Sequence, residues 1–449
     1  MRIHVLSLGC ARTLVDSEGL AGILEAAGHS ITNEVTQAEC VVVNTCAFIR
    51  EAEEESVATI LEVADLKKKG TLRRLYVAGC LPQKRRNEKD DLLKLLPEVD
   101  GFIGTGDLPQ LPKLLEEGLS PKGTVPQRFF VTSPVPTLLF DSLTPRHRLT
   151  PTHFAYLKIS EGCDHACTFC SIPQYRGAHR SRTMEDLVQQ AEQLAAEGVV
   201  ELNLIGQDTS YYGADRYGKP CLPELLRRLS AVQGIRWIRI LYAHPAHVSD
   251  ELIRAIREIP PVVKYIDIPL QHINDRLLEA MRRETDGDCI RRLVKKFRRE
   301  IPDVAIRSTF IVGFPGETQA DVEELTRFLK EARFERVGMF PYSPEPKTPS
   351  ERMESQVPEE IKKERLNHLM QIQQGISEGL NRRWLGRELE VMVEEPDHDP
   401  HVYLARSYAD APEVDGQVFL KSAVPLTPGQ FVRARVTDTY EYDLVAEAI

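Results

Sequence analysis

Glu161-Gly162-Cys163-Asp164-His165-Ala166-Cys167-Thr168-Phe169-Cys170 gathers three cysteines within eight residues and heads a long alternation of strand-like and helix-like segments. A four-iron four-sulfur cluster usually takes four cysteinates, so a three-cysteine loop leaves one iron free to bind something else. A zinc loop or three structural thiols is the competing reading. Zinc sites, however, favour paired CxxC spacings with a second pair later, and the chain has no such second pair.

Outward from this loop, apolar runs at residues 154–159, 199–205, 237–242, 265–268, 305–312 and 337–342 read as strands with helical patterns between them. Residues 184–197 show the helical spacing clearly: Leu187, Val188, Ala191, Leu194 and Ala195 share one face, and Thr183 precedes as a cap. Six strand-helix units predict a curved parallel sheet or partial barrel over 153–375. The site of such a barrel lies at the C-terminal ends of its strands, and the cysteine loop follows the first of them.

Upstream, residues 1–118 hold apolar runs at 3–8, 41–45 and 75–78, followed by Cys10, Cys46 and Cys80. Helical patterns at 14–27 and 51–68 separate them, so parallel strands with right-handed crossovers are expected. The three cysteines then converge on one sheet edge, where open α/β folds place ligands, and we expect them to ligate a second cluster. Cys40 opens the second strand and is expected in the core; Cys221 and Cys289 have no such setting.

Residues 119–152 turn rich in Pro, Ser and Thr and read as a connection. Downstream, 356–380 read as a long polar-faced helix. After Trp384, short alternating runs at 389–393, 402–405, 416–420, 430–436 and 442–446 predict a small β-barrel of the oligonucleotide-binding kind within 376–449.

The 449 residues are 42% hydrophobic and 28% charged, with a net charge of -10. That balance argues against the whole molecule being an electrostatic nucleic-acid binder. The arginines and lysines from Arg282 to Arg299 read as the solvated face of a helix. No signal-peptide layout and no run of about 20 apolar residues is present, so a cytoplasmic protein without a membrane segment is expected. Nine cysteines, an odd number, then argue for metal or redox chemistry over a disulfide framework.

The CxxxCxxC spacing of Cys163, Cys167 and Cys170 resembles the radical S-adenosylmethionine superfamily, whose partial barrel has six strand-helix units. The resemblance implies that the open iron holds S-adenosylmethionine, with Gly206 and Gln207 at the end of the second strand near its amino group. It also implies that the loop of Gly313 and Gly316, after the fifth strand, flanks its adenine. That loop lacks the Gly-Lys-Ser/Thr ending of a nucleotide phosphate loop. No side chain is singled out as a catalytic acid, base or nucleophile.

The whole arrangement is similar to the methylthiotransferases, whose C-terminal barrel is the TRAM domain. The similarity implies two four-iron four-sulfur clusters, one on Cys10, Cys46 and Cys80, and two molecules of S-adenosylmethionine: one methylates a sulfur and the other supplies the radical. Gly206-Gln207-Asp208-Thr209-Ser210-Tyr211-Tyr212-Gly213 and Ser171-Ile172-Pro173-Gln174-Tyr175-Arg176-Gly177 resemble the branch that modifies an aspartate β-carbon of ribosomal small-subunit protein twelve. Tyr211 and Tyr212 read equally as surface packing of the loop or as a substrate contact. Lys347 stands where relatives would carry a glycine.

From Asn381 to Ile449 there are 13 acidic and 7 basic side chains, a formal charge of -6. Such a barrel suits a basic ribosomal protein better than a phosphate backbone. The alternatives are a transfer-RNA adenosine methylthiotransferase and a nonenzymatic iron-sulfur or ribosome-binding protein. An external electron donor is expected, and sequence-specific nucleic-acid binding is not.

Overall fold

The computed structural model describes residues 1–118 and 128–449. The first part of the connecting stretch, residues 119–127, lies outside them.

The N-terminal sheet has six parallel strands in the spatial order Ser30–Ile31, Arg2–Ser7, Cys40–Thr45, Arg74–Gly79, Gly101–Gly104, Phe129–Val131. Cys40–Thr45 is buried along its whole length, as a central parallel strand covered on both faces must be. Three strands are too short to be read in advance: Ser30–Ile31 is two residues long, Gly101–Gly104 begins and ends in glycine, and the three-residue Phe129–Val131 falls inside the stretch read as a connection, which is corrected there to a sheet strand.

The two-residue strand matters most for function. By pairing outside Arg2–Ser7 it reverses the strand order between Arg2–Ser7 and Cys40–Thr45, which makes their C-terminal ends a topological switch point, the crevice where open α/β sheets bind ligands.

The central sheet also has six parallel strands, here in sequential order: Phe154–Lys158, Glu201–Ile205, Trp237–Ile240, Val262–Asp267, Ala305–Val312 and Arg336–Pro341. Its edge strands do not pair, so the barrel is partial. Alternate residues separate its two faces. Ala155, Leu157, Leu202, Leu204, Ile238 and Ile240 join the helices in the largest hydrophobic core. Phe154, Tyr156, Trp237 and Tyr265 lie on the other, concave face. Thr183 caps the helix Met184–Ala196 by accepting from the Asp186 N–H at 3.2 Å.

The helix Glu359–Asn381 leads to a closed barrel of Glu388–Pro396, Val402–Ser407, Val418–Lys421, Leu444–Ala448 and Phe431–Thr439. Each strand of the central sheet sends at least one polar side chain to this barrel. Tyr156 reaches Glu413 (2.9 Å), Glu201 reaches Arg406 (2.5 Å) and Arg239 reaches the Tyr408 carbonyl (2.6 Å). Tyr265 (2.7 Å) and Arg307 (3.2 Å) both reach Asp415, and Arg336 reaches Asp410 (2.5 Å).

The barrel's acidity is therefore partly internal. Glu390, Glu394, Asp410, Glu413 and Asp415 all meet partners in the central domain, while Glu395, Asp399, Asp438, Glu441 and Glu447 face solvent.

Candidate functional site

The first cysteine triad is built by strand register. Asn44 pairs with Ala78 and Thr45 with Gly79, so the strand ends are level and Cys46 and Cys80 each follow by one residue. Cys10 precedes the helix Ala11–Ala26. Gly9, at φ +89°, allows the close approach: a Cβ there would stand 2.8 Å from Cys46 Sγ. Asn44 ties the strands to that helix by donating to the Thr13 carbonyl (3.1 Å) and Ser17 Oγ (2.8 Å).

Electrostatics set the three thiols apart. Burial opposes charge on Cys10, but the Arg12 and Arg176 guanidiniums outweigh it and lower the thiol to about 6. Burial pushes Cys80 up to about 12, although Arg176 donates to its Sγ at 3.2 Å. Cys46 is likewise raised by burial and by Cys10.

In the second triad, burial pushes Cys163 and Cys170 up to about 12, and Cys167 adds to both shifts. Arg283 faces Cys167 Sγ at 3.4 Å and donates to the Pro269 carbonyl at 2.7 Å. It is buried, so it does not share the solvated face expected for the basic run at 282–299.

The donor sets fit iron-sulfur clusters. Each is three cysteines gathered at one place with a guanidinium on one of their sulfurs, and thiols that burial makes costly to ionise alone, as at Cys80, Cys163 and Cys170, become thiolates when a metal ion balances their charge.

The segment after the second triad joins the two. Ile172–Arg176 docks on the N-terminal domain, where Arg86 donates to the Gln174 carbonyl (2.8 Å) and Thr105 to the Tyr175 carbonyl (3.0 Å). The buried Tyr175 hydroxyl is raised well above its ordinary value by burial, then by Cys80, Cys170 and Cys46, so it feels both triads.

Arg176 also holds Asp16 (2.6 Å) and Glu161 (3.1 Å), and Lys158 bonds the same two carboxylates. Burial alone would raise Glu161; Lys158 and Arg176 overcome it and hold the carboxyl well below the usual range. In the opposite direction Arg12 crosses from the N-terminal domain, donates to the Gly206 carbonyl at 2.8 Å and lies 4.7 Å over the Tyr242 ring.

Gly206 lies at the second strand's end against Ser160, whose Oγ would be 2.5 Å from an added Cβ. Gln207 donates its amide to Glu161. Gly313 and Gly316 take positive φ, and Gly313 N–H donates to Glu317 at 2.9 Å. Lys347 adopts φ +67°, the left-handed conformation a glycine would take without strain. Tyr212 is neither on the surface nor free for a substrate: it is fully buried in the core with its hydroxyl donating to the Arg182 carbonyl at 2.8 Å, whereas Tyr211 stacks on His247.

Arg12, Asp16, Lys158, Glu161 and Arg176 carry no motif of their own, and the one signal for them in the sequence is a lysine inside the apolar run at 154–159.

Family models match three consecutive segments: "Uncharacterized protein family UPF0004" at 2–104, "Radical SAM superfamily" at 157–329 and "TRAM domain" at 385–449. A ribosomal protein uS12 methylthiotransferase RimO from Anaeromyxobacter sp. (strain K) is 46% identical over 449 residues, covering 100% of this chain and 93% of that protein. The chain belongs to the RimO family of radical S-adenosylmethionine methylthiotransferases. Members of the same name from Thermoanaerobacter sp. (strain X514), 45% identical with 99% of each chain covered, and Lachnoclostridium phytofermentans, 43% with 100% of each, match equally fully.

Membership makes the protein a transferase and brings S-adenosylmethionine and a four-iron four-sulfur cluster as cofactors. Among solved structures, the radical S-adenosylmethionine methyltransferase TsrM from Kitasatospora setae shares the fold, with a TM-score of 0.55 at 14% identity, covering 78% of this chain and 76% of that one. No described helix is long and apolar enough to cross a membrane.

Proposed function

We propose that the protein attaches a methylthio group to the β-carbon of an aspartate in ribosomal small-subunit protein twelve (uS12). In this reading it works in the cytoplasm with an external electron donor and takes two molecules of S-adenosylmethionine. Full-length identity of 43–46% to uS12 methylthiotransferases is the observation that carries the substrate. Cys10, Cys46 and Cys80 would hold one four-iron four-sulfur cluster, and Cys163, Cys167 and Cys170 the other. When bound, the clusters and S-adenosylmethionine supply a methylated sulfur and the one-electron cleavage that removes hydrogen from an unactivated carbon.

The chain's own residues position and insulate. Arg176 and Arg283 set a positive donor against one sulfur of each triad. Gln207 turns its amide to Glu161, and Gly206 leaves its carbonyl to Arg12, so the second strand's end is fixed by both domains. Gly313 lets the Lys362 side chain pack where a Cβ would stand, which draws the fifth-strand turn against the helix Glu359–Asn381, and the loop of Gly313 and Gly316 would flank the adenine.

Mass spectrometry of uS12 and of transfer RNA from a deletion strain tests the substrate. We expect the methylthio group to vanish from uS12 and return on complementation. Its loss from transfer RNA alone would overturn the proposal.

A further inference from the structure

Beside the second triad, four side chains from three loops converge. His165 comes from the cysteine loop, Asp208 follows Glu201–Ile205, and His244 and His247 follow Trp237–Ile240. One ligand atom from each lies within 4.8 Å of all the others. Asp208 Oδ2 stands 2.9 Å from His165 Nε2 and 2.7 Å from His247 Nδ1. Its Oδ1 accepts from Ser210 Oγ (2.5 Å) and the His244 N–H (3.2 Å).

A hydrogen-bonded cluster accounts for His165 and His247, and the His244 ring stacks on His165 with centroids 4.2 Å apart, but none of these contacts satisfies His244 Nε2. That side chain is 5% exposed, its Nδ1 accepts a long 3.3 Å contact from the Ala246 N–H, and its Nε2 is buried without any partner. Leaving such a nitrogen dry and unpaired is destabilising.

We infer that His165, Asp208, His244 and His247 form a binding site for a divalent transition-metal ion of the zinc type, separate from both cysteine triads. Three imidazoles and a carboxylate are the donors such ions take, at bond lengths of about 2.0–2.2 Å.

An imidazole that binds the ion through one nitrogen carries its proton on the other. For His165 this is Nδ1, which faces Glu284 Oε2 at 3.4 Å, the carboxylate that orients many metal-bound histidines. For His244 the proton moves to Nδ1, and the contact from Ala246 is given up in exchange for satisfying Nε2. The ion clamps the cysteine loop to the ends of the second and third strands. This holds whichever carbon the enzyme modifies.

The test uses the full-length protein, anaerobically reconstituted with iron and sulfide, incubated with zinc(II) and desalted. Metal analysis should find about one zinc per chain with the iron content unchanged. X-ray absorption at the zinc edge should show nitrogen and oxygen neighbours only. Retention of no zinc, or zinc with sulfur neighbours, which would mean occupation of a cysteine triad, overturns the inference. His244→Ala and His247→Ala should lose the zinc and keep the iron; full zinc retention in both also overturns it. The wild-type spectrum decides the matter even if a variant folds poorly.

Discussion

Two domains share the concave face of the central sheet, and they use it differently. On the first strand, Tyr156 bonds the barrel's Glu413, while Lys158, two residues on and on the same face, bonds Asp16 of the N-terminal domain. The barrel thus takes the strand beginnings and the N-terminal domain takes the strand ends.

Both contacts are networks of buried charge. At the barrel, Glu201 is clamped by Arg239 and Arg406 and the network closes on itself and on backbone. At the N-terminal domain, Asp16 and Glu161 are clamped by Lys158 and Arg176, and this network continues to Cys80 Sγ. The same construction serves docking at one end of the strands and chemistry at the end where parallel α/β folds place it.

Arg176→Met should separate the two networks most clearly. It leaves two buried carboxylates with one cation, which costs about 3–5 kcal/mol, and it should abolish uS12 methylthiolation while iron at Cys163, Cys167 and Cys170 persists. Arg406→Met should cost less, about 2 kcal/mol, because Arg239 stays on Glu201. Denaturation should show the loss, with iron content at the wild-type level. If Arg406→Met empties a cysteine triad, the barrel contact is not merely structural.

Acid should loosen both interfaces with the same sign. Glu161 and Glu201 are buried, yet held below their ordinary range by their cationic partners. The stability they contribute is present above the unfolded carboxylate value of about 4.3 and is lost as pH falls below it toward the folded values. Limited proteolysis from pH 7 to pH 3 should release both flanking domains only at the acidic end. Release on raising the pH would contradict this.

The smallest effect belongs to the solvent-facing acids. Glu395→Lys with Glu447→Lys should weaken uS12 binding several-fold at low salt and hardly at high salt, with no change in unfolding.

The architecture was legible because hydrophobic period and cysteine placement agreed: Arg2–Ser7, Cys40–Thr45 and Arg74–Gly79 each run into a cysteine, and the cysteine loop sits at the end of the first central strand. Ser30–Ile31 was not legible, since two residues carry no period, yet this strand creates the switch point. Arg12 and Arg176 were hidden for another reason. Their meaning lies in partners 194 and 96 residues away, Gly206 and Cys80, and no local pattern records such a pairing. The barrel's net charge read correctly as a sum but not as a surface, because docking uses part of it.

Iron analysis after anaerobic reconstitution tests most directly that the N-terminal interface joins two cluster sites. The wild type should hold about eight irons per chain, and Cys10→Ala and Cys163→Ala about four each. An iron content unchanged from wild type in either variant would contradict it.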